Sequence, residues 1–311
     1  MTIEEQIADH PGAELTDSRK HYGQAQGQET QKQEPLPLLL IDNKHCRAVI
    51  AMQGAQILEF TPKGAAPLLW LSPNAIFSPG AAIRGGIPVC LPWFGVNQQD
   101  PEKPKHGFAR TRDWELVALA QTDTDTTTLL LAFDYQAEQP HLFSYPFRAA
   151  LKITLGKQLT LDLTIANCGS KNMPLSWALH SYHPRSDLAE TQVEGLQNRN
   201  YLDNTDALKT KRQADPGISF TGEVDRVYES VGGTQSITGK PQITISGTCS
   251  ETVIVWNPGA ANAAHMSDIG AGGEQEFICV ERGAAFGDSW RLAPGESRTG
   301  QLTIASTSPG T

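Results

Sequence analysis

Residues 151–166 carry the clearest local pattern of the chain, LKITLGKQLTLDLTIA. Apolar residues occupy every second position on both sides of a short turn formed by Gly156, Lys157 and Gln158. Because successive side chains of a β-strand point to opposite faces, each half of the segment can bury one face and expose the other. Two such strands around a glycine-containing turn predict a β-hairpin.

Similar segments of strand length recur along the chain, separated by Gly, Pro, Asn and Asp. They are residues 47–51, 56–61, 114–119, 127–135, 242–246, 252–256 and 301–306. No window of helical length has a persuasive apolar stripe with the period of a helix. The sequence therefore predicts an all-β fold, and two packed antiparallel sheets are the economical arrangement for so many short strands.

The chain has 311 residues, enough for one large all-β domain or for two smaller sandwiches divided near residues 195–215. We find no internal repeat and no Gly/Ser linker, so a single domain over residues 35–311 is the preferred interpretation. Residues 1–34 are polar and nearly free of large apolar side chains after Ile7. We expect a flexible arm there, with a short helix near residues 3–10. The polar, turn-rich residues 203–217 are interpreted as a surface excursion.

Charge and cysteine content narrow the class of protein. The formal charge of -9 and the pI near 5.4 argue against a general nucleic-acid or anionic-membrane binder, because such proteins need a basic face. The five cysteines are scattered without a CxxC pair, so we expect free thiols in a reducing compartment. The N-terminus lacks the features of a secretory signal, and the apolar runs are far shorter than a bilayer span. We therefore expect a cytoplasmic protein.

Several common site motifs do not occur in the sequence. There is no Gly-rich phosphate loop, no GxSxG elbow and no HExxH motif. The spacing of four histidines does not favour a metal site, so we predict no metal. They are His45, His141, His183 and His265.

Residues 83–114 form a segment rich in cations, glycine and proline. It contains Arg84, Lys105, His106, Arg110 and Arg112 next to large apolar residues, so we expect a loop held against the core. Each arginine taken alone is more often a structural ion-pair partner. Two arginines flanking such a loop in an acidic protein favour an anion site for a phosphate or carboxylate, which guanidinium groups bind in bidentate fashion.

Three further polar residues lie in apolar surroundings. His180 lies in the sequence LSWALHSYH and could be a satisfied core residue or a proton-transfer group. Glu281 follows the apolar run FICV, where a carboxylate is costly unless it is paired or lies at a cavity wall. It could pair with Arg282, or burial could raise its pKa for use as a general base. Asp225 could accept a hydrogen bond from a ligand hydroxyl or pair with Arg226.

Eight motifs occur in an order that resembles the aldose 1-epimerase superfamily, and more narrowly its hexose-6-phosphate mutarotase branch. They are GAQILEF (54–60), IRGGIPVCLPWFG (83–95), HGFAR (106–110) with Trp114, LSWALHSYH (175–183), VEGLQNRNYLD (193–203), DRVY (225–228), WNP (256–258) and FICVE (277–281). The resemblance covers about residues 36–306. It implies a large antiparallel β-sandwich of the galactose mutarotase-like type.

The resemblance also implies an activity, the interconversion of the α and β anomers of glucose 6-phosphate or a related hexose 6-phosphate. Two residues are implied to be catalytic, the general acid His180 and the general base Glu281. Five residues are implied to bind the substrate: Arg84, Lys105, His106, Arg110 and Asp225. Lys105 stands where relatives often carry glutamine. We expect no cofactor, a small sugar phosphate as the only partner, and a monomer.

Two alternatives stay open. One is a noncatalytic sugar-phosphate-binding module on the same fold, which needs hydrogen-bonding groups but not an opposed acid and base. The other is a glycoside hydrolase or lyase, which requires a second carboxylate across the scissile bond. The sequence also departs from the family pattern at residues 259–268, which lack a tryptophan and a lysine-containing run, so we expect an altered wall of the cleft.

Overall fold

The computed structural model describes residues 3–23, 34–122 and 125–307. The first twelve strands are β1 (Ala13–Asp17), β2 (Pro37–Asp42), β3 (Cys46–Ala51), β4 (Gln56–Pro62), β5 (Val89–Cys90), β6 (Glu115–Gln121), β7 (Thr127–Tyr135), β8 (Phe147–Leu155), β9 (Leu159–Asn167), β10 (Met173–Leu175), β11 (Trp177–Leu179) and β12 (Tyr182–Pro184). The others are β13 (Gln192–Glu194), β14 (Asn200–Asp203), β15 (Lys209–Arg212), β16 (Gly217–Ser219), β17 (Val224–Tyr228), β18 (Gln235–Ile237), β19 (Ile243–Ser246), β20 (Thr252–Asn257), β21 (Phe277–Ala284), β22 (Trp290–Leu292) and β23 (Ser297–Ser306).

Helices are few and short. The α-helices are α1 (Ile3–Asp9), α2 (Ser18–Tyr22) and α3 (Gly259–Ala263), and 3-10 turns occur at Ala109–Thr111, Asn204–Asp206, Gly273–Gln275 and Phe286–Asp288. Within the described ranges, no helix has the length and apolar character needed to cross a bilayer.

Two large sheets dominate the fold. The first has nine strands in the order β16-β13-β18-β19-β23-β9-β8-β7-β6, and the second has eight in the order β15-β14-β17-β20-β21-β11-β5, with β12 also paired to β21. Strands β1 to β4 form a four-stranded sheet in sequence order, and β10 pairs with β22. All of these strand pairs are antiparallel. The predicted all-β antiparallel fold is confirmed.

One apolar core joins the two large sheets. The cluster contains Leu151 and Leu163 of the nine-stranded sheet together with Val255 and Val280 of the eight-stranded sheet, all fully buried. The alternation that predicted the hairpin is the cause, because it gives β8 and β9 one continuous apolar face. The hairpin is confirmed, with Leu155 opposite Leu159 at its turn.

Residues 3–23, for which a flexible arm was expected, contain helix α1, strand β1 and helix α2. Strand β1 pairs with all but the last residue of β2, from Ala13 opposite Ile41 to Asp17 opposite Pro37. Helix α1 contacts β6, and Gln6 Oε1 on the helix accepts a hydrogen bond from the amide of Leu119. The expectation considered only apolar side chains, whereas β1 is held by main-chain hydrogen bonds to β2. On α1, the side chain of Ile7 belongs to the main apolar cluster. The expected helix near residues 3–10 is present as α1. The rest of the expected arm, residues 1, 2 and 24–33, lies outside the described ranges. The single domain stays a prediction.

Candidate active site

The register of three neighbouring strands places the candidate residues on one face of the eight-stranded sheet. Asp225 on β17 lies opposite Trp256 on β20, and Ile254 on β20 lies opposite Glu281 on β21. Because side chains alternate between faces, Glu281 points away from the core that contains its neighbour Val280. Glu281 is therefore a residue in the middle of a central strand, not at a strand end.

His180 reaches Glu281 from the adjacent strand. Leu179, the last residue of β11, is paired with Arg282, so the next residue along the chain comes opposite Glu281. The amide of His180 donates to the carbonyl of Pro88, which ties it to the segment before β5. Sheet pairing alone thus brings together two residues that are about a hundred positions apart in sequence.

Residues 83–114 are folded against this face, as the sequence predicts. The carbonyl of Leu91 accepts hydrogen bonds from the amides of Phe108 and Ala109. Gly86 and Gly107 have φ angles of +61° and +69°, and a Cβ atom on either would lie 2.1 Å from a carbonyl oxygen of a neighbouring segment. Only glycine fits these two positions, which explains the glycines of the IRGG and HGFAR motifs.

A cavity of about 410 Å³ lies over this face. All seven residues predicted to bind or transform a substrate line it, namely Arg84, Lys105, His106, Arg110, His180, Asp225 and Glu281. Its remaining wall is largely apolar and aromatic, with Phe94, Val227, Ile254, Trp256, Met266 and Phe286 among its members. Met266 belongs to the stretch in which the sequence departs from the family pattern, so that stretch still supplies a side chain to the cavity.

His180 Nε2 and Glu281 Oε1 are 3.4 Å apart, and the two side chains are 8% and 1% exposed. Neither His180 Nδ1 nor Glu281 Oε2 has a hydrogen-bond partner among the described residues. Arg282 does not pair with Glu281, since its guanidinium donates to Val231 O, Gln235 Oε1 and Gly247 O. The side chain of His180 stacks on the ring of Tyr182, with centroids 4.8 Å apart.

Burial sets the protonation of this pair. It raises the pKa of Glu281 well above its ordinary value, and the nearby Asp225 adds to the rise. It lowers the pKa of His180 well below its ordinary value, and the cations Arg84 and Arg110 add to the decrease. Both shifts favour the uncharged forms, a protonated Glu281 beside a neutral His180.

The three cations of the cavity differ in their partners. Arg84 Nε is 2.9 Å from Asp268 Oδ2, and Arg84 Nη1 donates to the hydroxyl of Tyr182 at 2.9 Å. In contrast, neither Lys105 nor Arg110 makes an ion pair within the part of the chain that the structure describes. Arg110 Nη2 donates to the carbonyl of Lys105 at 2.8 Å, which holds the two side by side. The uncompensated positive charge of the cavity therefore lies at Lys105 and Arg110.

Asp225 is held by a residue that the sequence analysis missed. Asn204 Nδ2 donates to Asp225 Oδ2 at 2.6 Å, and Asn204 itself lines the cavity. Arg226 is engaged elsewhere, with Gln213 Oε1, so the Asp225–Arg226 pair does not form. Residues 203–217, interpreted as a surface excursion, thus contribute Asn204 to the cavity, and β15 to the edge of the sheet. The polarity of this segment gave no signal of that contact.

No group of three His, Cys, Asp or Glu side chains that could hold a metal ion is found in residues 3–23, 34–122 and 125–307. His183 is fully buried and contacts Leu68 O and Ser181 Oγ. All five cysteines are free, as predicted; three are buried, whereas Cys168 and Cys249 are exposed.

Comparison with known proteins agrees with the motifs. The sequence profile described as aldose 1-epimerase matches residues 37–305. A protein of Salmonella typhimurium named "putative glucose-6-phosphate 1-epimerase" is 32% identical over 253 residues, covering 80% of this chain and 83% of that protein. A protein of the same name from Cenchrus ciliaris is 32% identical over 273 residues, covering 84% and 82%.

Solved structures give the same result. The crystal structure of a "putative mutarotase" from Salmonella typhimurium matches with a TM-score of 0.80 and 29% identity, over 87% of this chain and 90% of that chain. A second crystal structure, of HI1317, matches with a TM-score of 0.71 and 25% identity, over 87% and 92%. The fold is therefore a galactose mutarotase-like β-sandwich, and the chain belongs to the aldose 1-epimerase family.

Proposed function

We propose that the protein is a hexose-6-phosphate mutarotase, which interconverts the α and β anomers of glucose 6-phosphate or a close relative. The observation that carries the proposal is the buried pair of His180 Nε2 and Glu281 Oε1, 3.4 Å apart at the cavity wall. A proton acceptor and a proton donor at this separation can act on two oxygens bound to one carbon. Opening and reclosing a sugar ring needs proton transfers of this kind.

Ring opening needs two proton transfers, one from the substrate to Glu281 and one from His180 to the substrate. Glu281 takes the proton of the anomeric hydroxyl, the C1–O1 bond becomes a carbonyl, and the C1–O5 bond breaks as O5 takes a proton from His180. Rotation about C1–C2 presents the other face of the aldehyde. The reverse transfers then close the ring to the opposite anomer and restore both residues, so no cofactor is required.

The open-chain stage coincides with the protonation state that burial favours. At that stage Glu281 is protonated and His180 is neutral, the two forms that the pKa shifts favour. For ring opening His180 must first carry a proton, which the neighbouring cations disfavour. A phosphate bound at Lys105 and Arg110 would neutralise those cations and raise the pKa of His180. Phosphate binding would thereby promote the charged form of the acid.

The choice of a phosphorylated sugar is supported by charge. Lys105 and Arg110 are a pair of neighbouring cations without carboxylate partners in the described residues, in a protein whose formal charge is -9. A phosphate dianion matches such a pair in charge, whereas a free hexose carries no charge. The names of the relatives from Salmonella typhimurium and Cenchrus ciliaris point to the same substrate. Arg84 is paired with Asp268, so it then lines the cavity and is not the main phosphate ligand.

Magnetisation transfer between the anomeric protons of equilibrated glucose 6-phosphate tests the proposal, with free glucose and galactose as parallel samples. We expect exchange above the uncatalysed rate for the phosphate ester, and little for the free sugars. Binding of glucose 6-phosphate without added exchange would replace the enzyme with a binding module. Release of reducing ends from oligosaccharides would replace it with a hydrolase that uses Asp225 as the second carboxylate.

A further inference from the structure

His106 and Gly95 make a reciprocal pair of hydrogen bonds that closes the loop between them. The amide of His106 donates to the carbonyl of Gly95 at 2.7 Å. The amide of Gly95 donates to the ring nitrogen Nδ1 of His106 at 3.2 Å. His106 adopts a φ of +67°, a conformation that non-glycine residues rarely take, and it packs edge-on against Phe94. The ring is thus anchored through both its main chain and one of its nitrogens.

The second of these bonds fixes the tautomer of the imidazole. A main-chain amide can only donate, so Nδ1 must offer a lone pair and cannot carry a proton. In a neutral ring the proton is then on Nε2. Nε2 has no hydrogen-bond partner in the described part of the chain, and the residue lines the cavity with its ring 5.5 Å from that of His180. We infer that the Gly95 amide holds His106 as a neutral hydrogen-bond donor, whose Nε2–H serves the reacting oxygens without transferring a proton.

The surroundings also oppose the charged form of this ring. Burial lowers the pKa of His106 well below its ordinary value, and His180, Arg110, Lys105 and Arg84 add to the decrease. The two carboxyl groups that share the cavity, those of the half-buried Asp225 and the buried Glu281, have raised pKa values themselves. Protonation at Nδ1 would in addition break the bond from Gly95. The electrostatic effect and the geometry therefore both favour the neutral form of His106 with the proton on Nε2.

Such a donor has a defined use in the proposed ring opening, on which this inference rests. Negative charge shifts onto O1 as Glu281 removes its proton, and a fixed neutral N–H stabilises that charge without competing for the proton. Loss of one oriented donor of this type typically lowers kcat by about 10²-fold. Two imidazoles in one cavity would then have different tasks: His180 exchanges a proton and His106 does not.

Two isosteric variants separate this role from its alternatives. Asparagine places its side-chain oxygen near the position of Nδ1, so His106→Asn keeps the bond from Gly95 and loses the donor into the cavity. Glutamine places its amide nitrogen near Nε2, so His106→Gln keeps the donor and loses the bond from Gly95. We expect His106→Asn to lower kcat for glucose 6-phosphate by about 10²-fold and His106→Gln by less than about tenfold. The reverse order would make His106 only a loop anchor, and equal losses in both would make it a proton-transfer group.

Nitrogen NMR of protein labelled with ¹⁵N-histidine tests the tautomer without any turnover. The resonances absent from the spectrum of His106→Asn assign the residue. We expect Nδ1 to resonate as an unprotonated nitrogen and Nε2 as a protonated one from pH 5 to pH 9. A proton on Nδ1, or titration to the imidazolium within that range, would overturn the inference. Since this readout is independent of substrate, it stands or falls separately from the proposed activity.

Discussion

Glu281 combines the features of a general base with those of a destabilising residue. It is 1% exposed, and one carboxylate oxygen lacks a partner among the described residues. Such a group is costly to bury in its ionised form. The folded protein therefore holds a proton on Glu281 over a pH range in which the unfolded chain has released it, because burial raises the pKa of this carboxyl. Stability contributed by this proton falls as pH rises above the unfolded value of about 4.3.

Glu281→Gln removes this dependence. The amide keeps the shape of the side chain but cannot ionise. We expect the free energy of unfolding of the variant to increase relative to that of the unchanged protein by up to about 1.4 kcal/mol for each pH unit above about 4.3. Urea denaturation at several pH values measures the difference. A difference that does not vary with pH would show that Glu281 has an ordinary pKa.

Lys105 offers a test of the anion site. It is exposed at the rim of the cavity, so its contribution is modest and screened by salt. We expect Lys105→Gln to raise KM for glucose 6-phosphate about fivefold, or roughly 1 kcal/mol, at low ionic strength and to change kcat little. Lys103→Gln is the matched control, because Lys103 belongs to the same loop but does not line the cavity. Equal KM values for the two variants would remove Lys105 from the phosphate site.

At the scale of elements, local patterns and long-range pairing differ in how far the sequence predicts them. The strands β8 and β9 were predictable because each carries its own alternation of apolar residues. The two-residue strand β5 and the three-residue strand β11 are too short to show one. Strand β11 is placed by its pairing with β21, and β5 by its pairing with β11. Such pairing across the chain is not recorded in a local pattern. Strand β1 was also missed. Its side chains are half-exposed and show no apolar pattern, and it is placed by its pairing with β2.

Helix α1 is expected to stabilise the fold without contributing to the site. Ile7 is 9% exposed and belongs to the main apolar cluster, although it lies in the part of the chain that was expected to be flexible. Replacing such a residue by alanine costs about 2 kcal/mol at the low end of the range for buried isoleucine. We expect that loss for Ile7→Ala in urea denaturation, with kcat unchanged. Ile76→Ala, at a residue 41% exposed, should lose less than about 0.5 kcal/mol; equal losses in the two would show that α1 is not packed.

At the scale of the molecule, the eight-stranded sheet has two different faces. One face completes the core through Val255 and Val280, and the other carries Asp225 and Glu281 into the cavity. The candidate catalytic carboxylate is thus mounted on a central strand that the opposite sheet holds in place. A rigid mount of this kind suits a reaction that depends on the fixed positions of a proton donor and acceptor.

The part of the candidate site that belongs to sequence motifs was predictable. All seven residues carried over from the family resemblance line one cavity. The residues that hold them were not predictable, because Asn204 and Asp268 reach Asp225 and Arg84 only through the tertiary fold. The pairing of Arg84 with Asp268 also changes the expected division of charge, since it leaves Lys105 and Arg110 as the cations available to an anion.

The central claim is that Glu281 and His180 open and close the ring of a hexose 6-phosphate. The most direct test is magnetisation transfer between the anomers of glucose 6-phosphate with the unchanged protein, Glu281→Gln and the control Glu274→Gln. Glu274 is a buried glutamate that also has an unpartnered oxygen in the described structure, but it does not line the cavity. The account predicts exchange well above the uncatalysed rate for the unchanged protein and for Glu274→Gln, and the uncatalysed rate for Glu281→Gln. Full exchange with Glu281→Gln would contradict it.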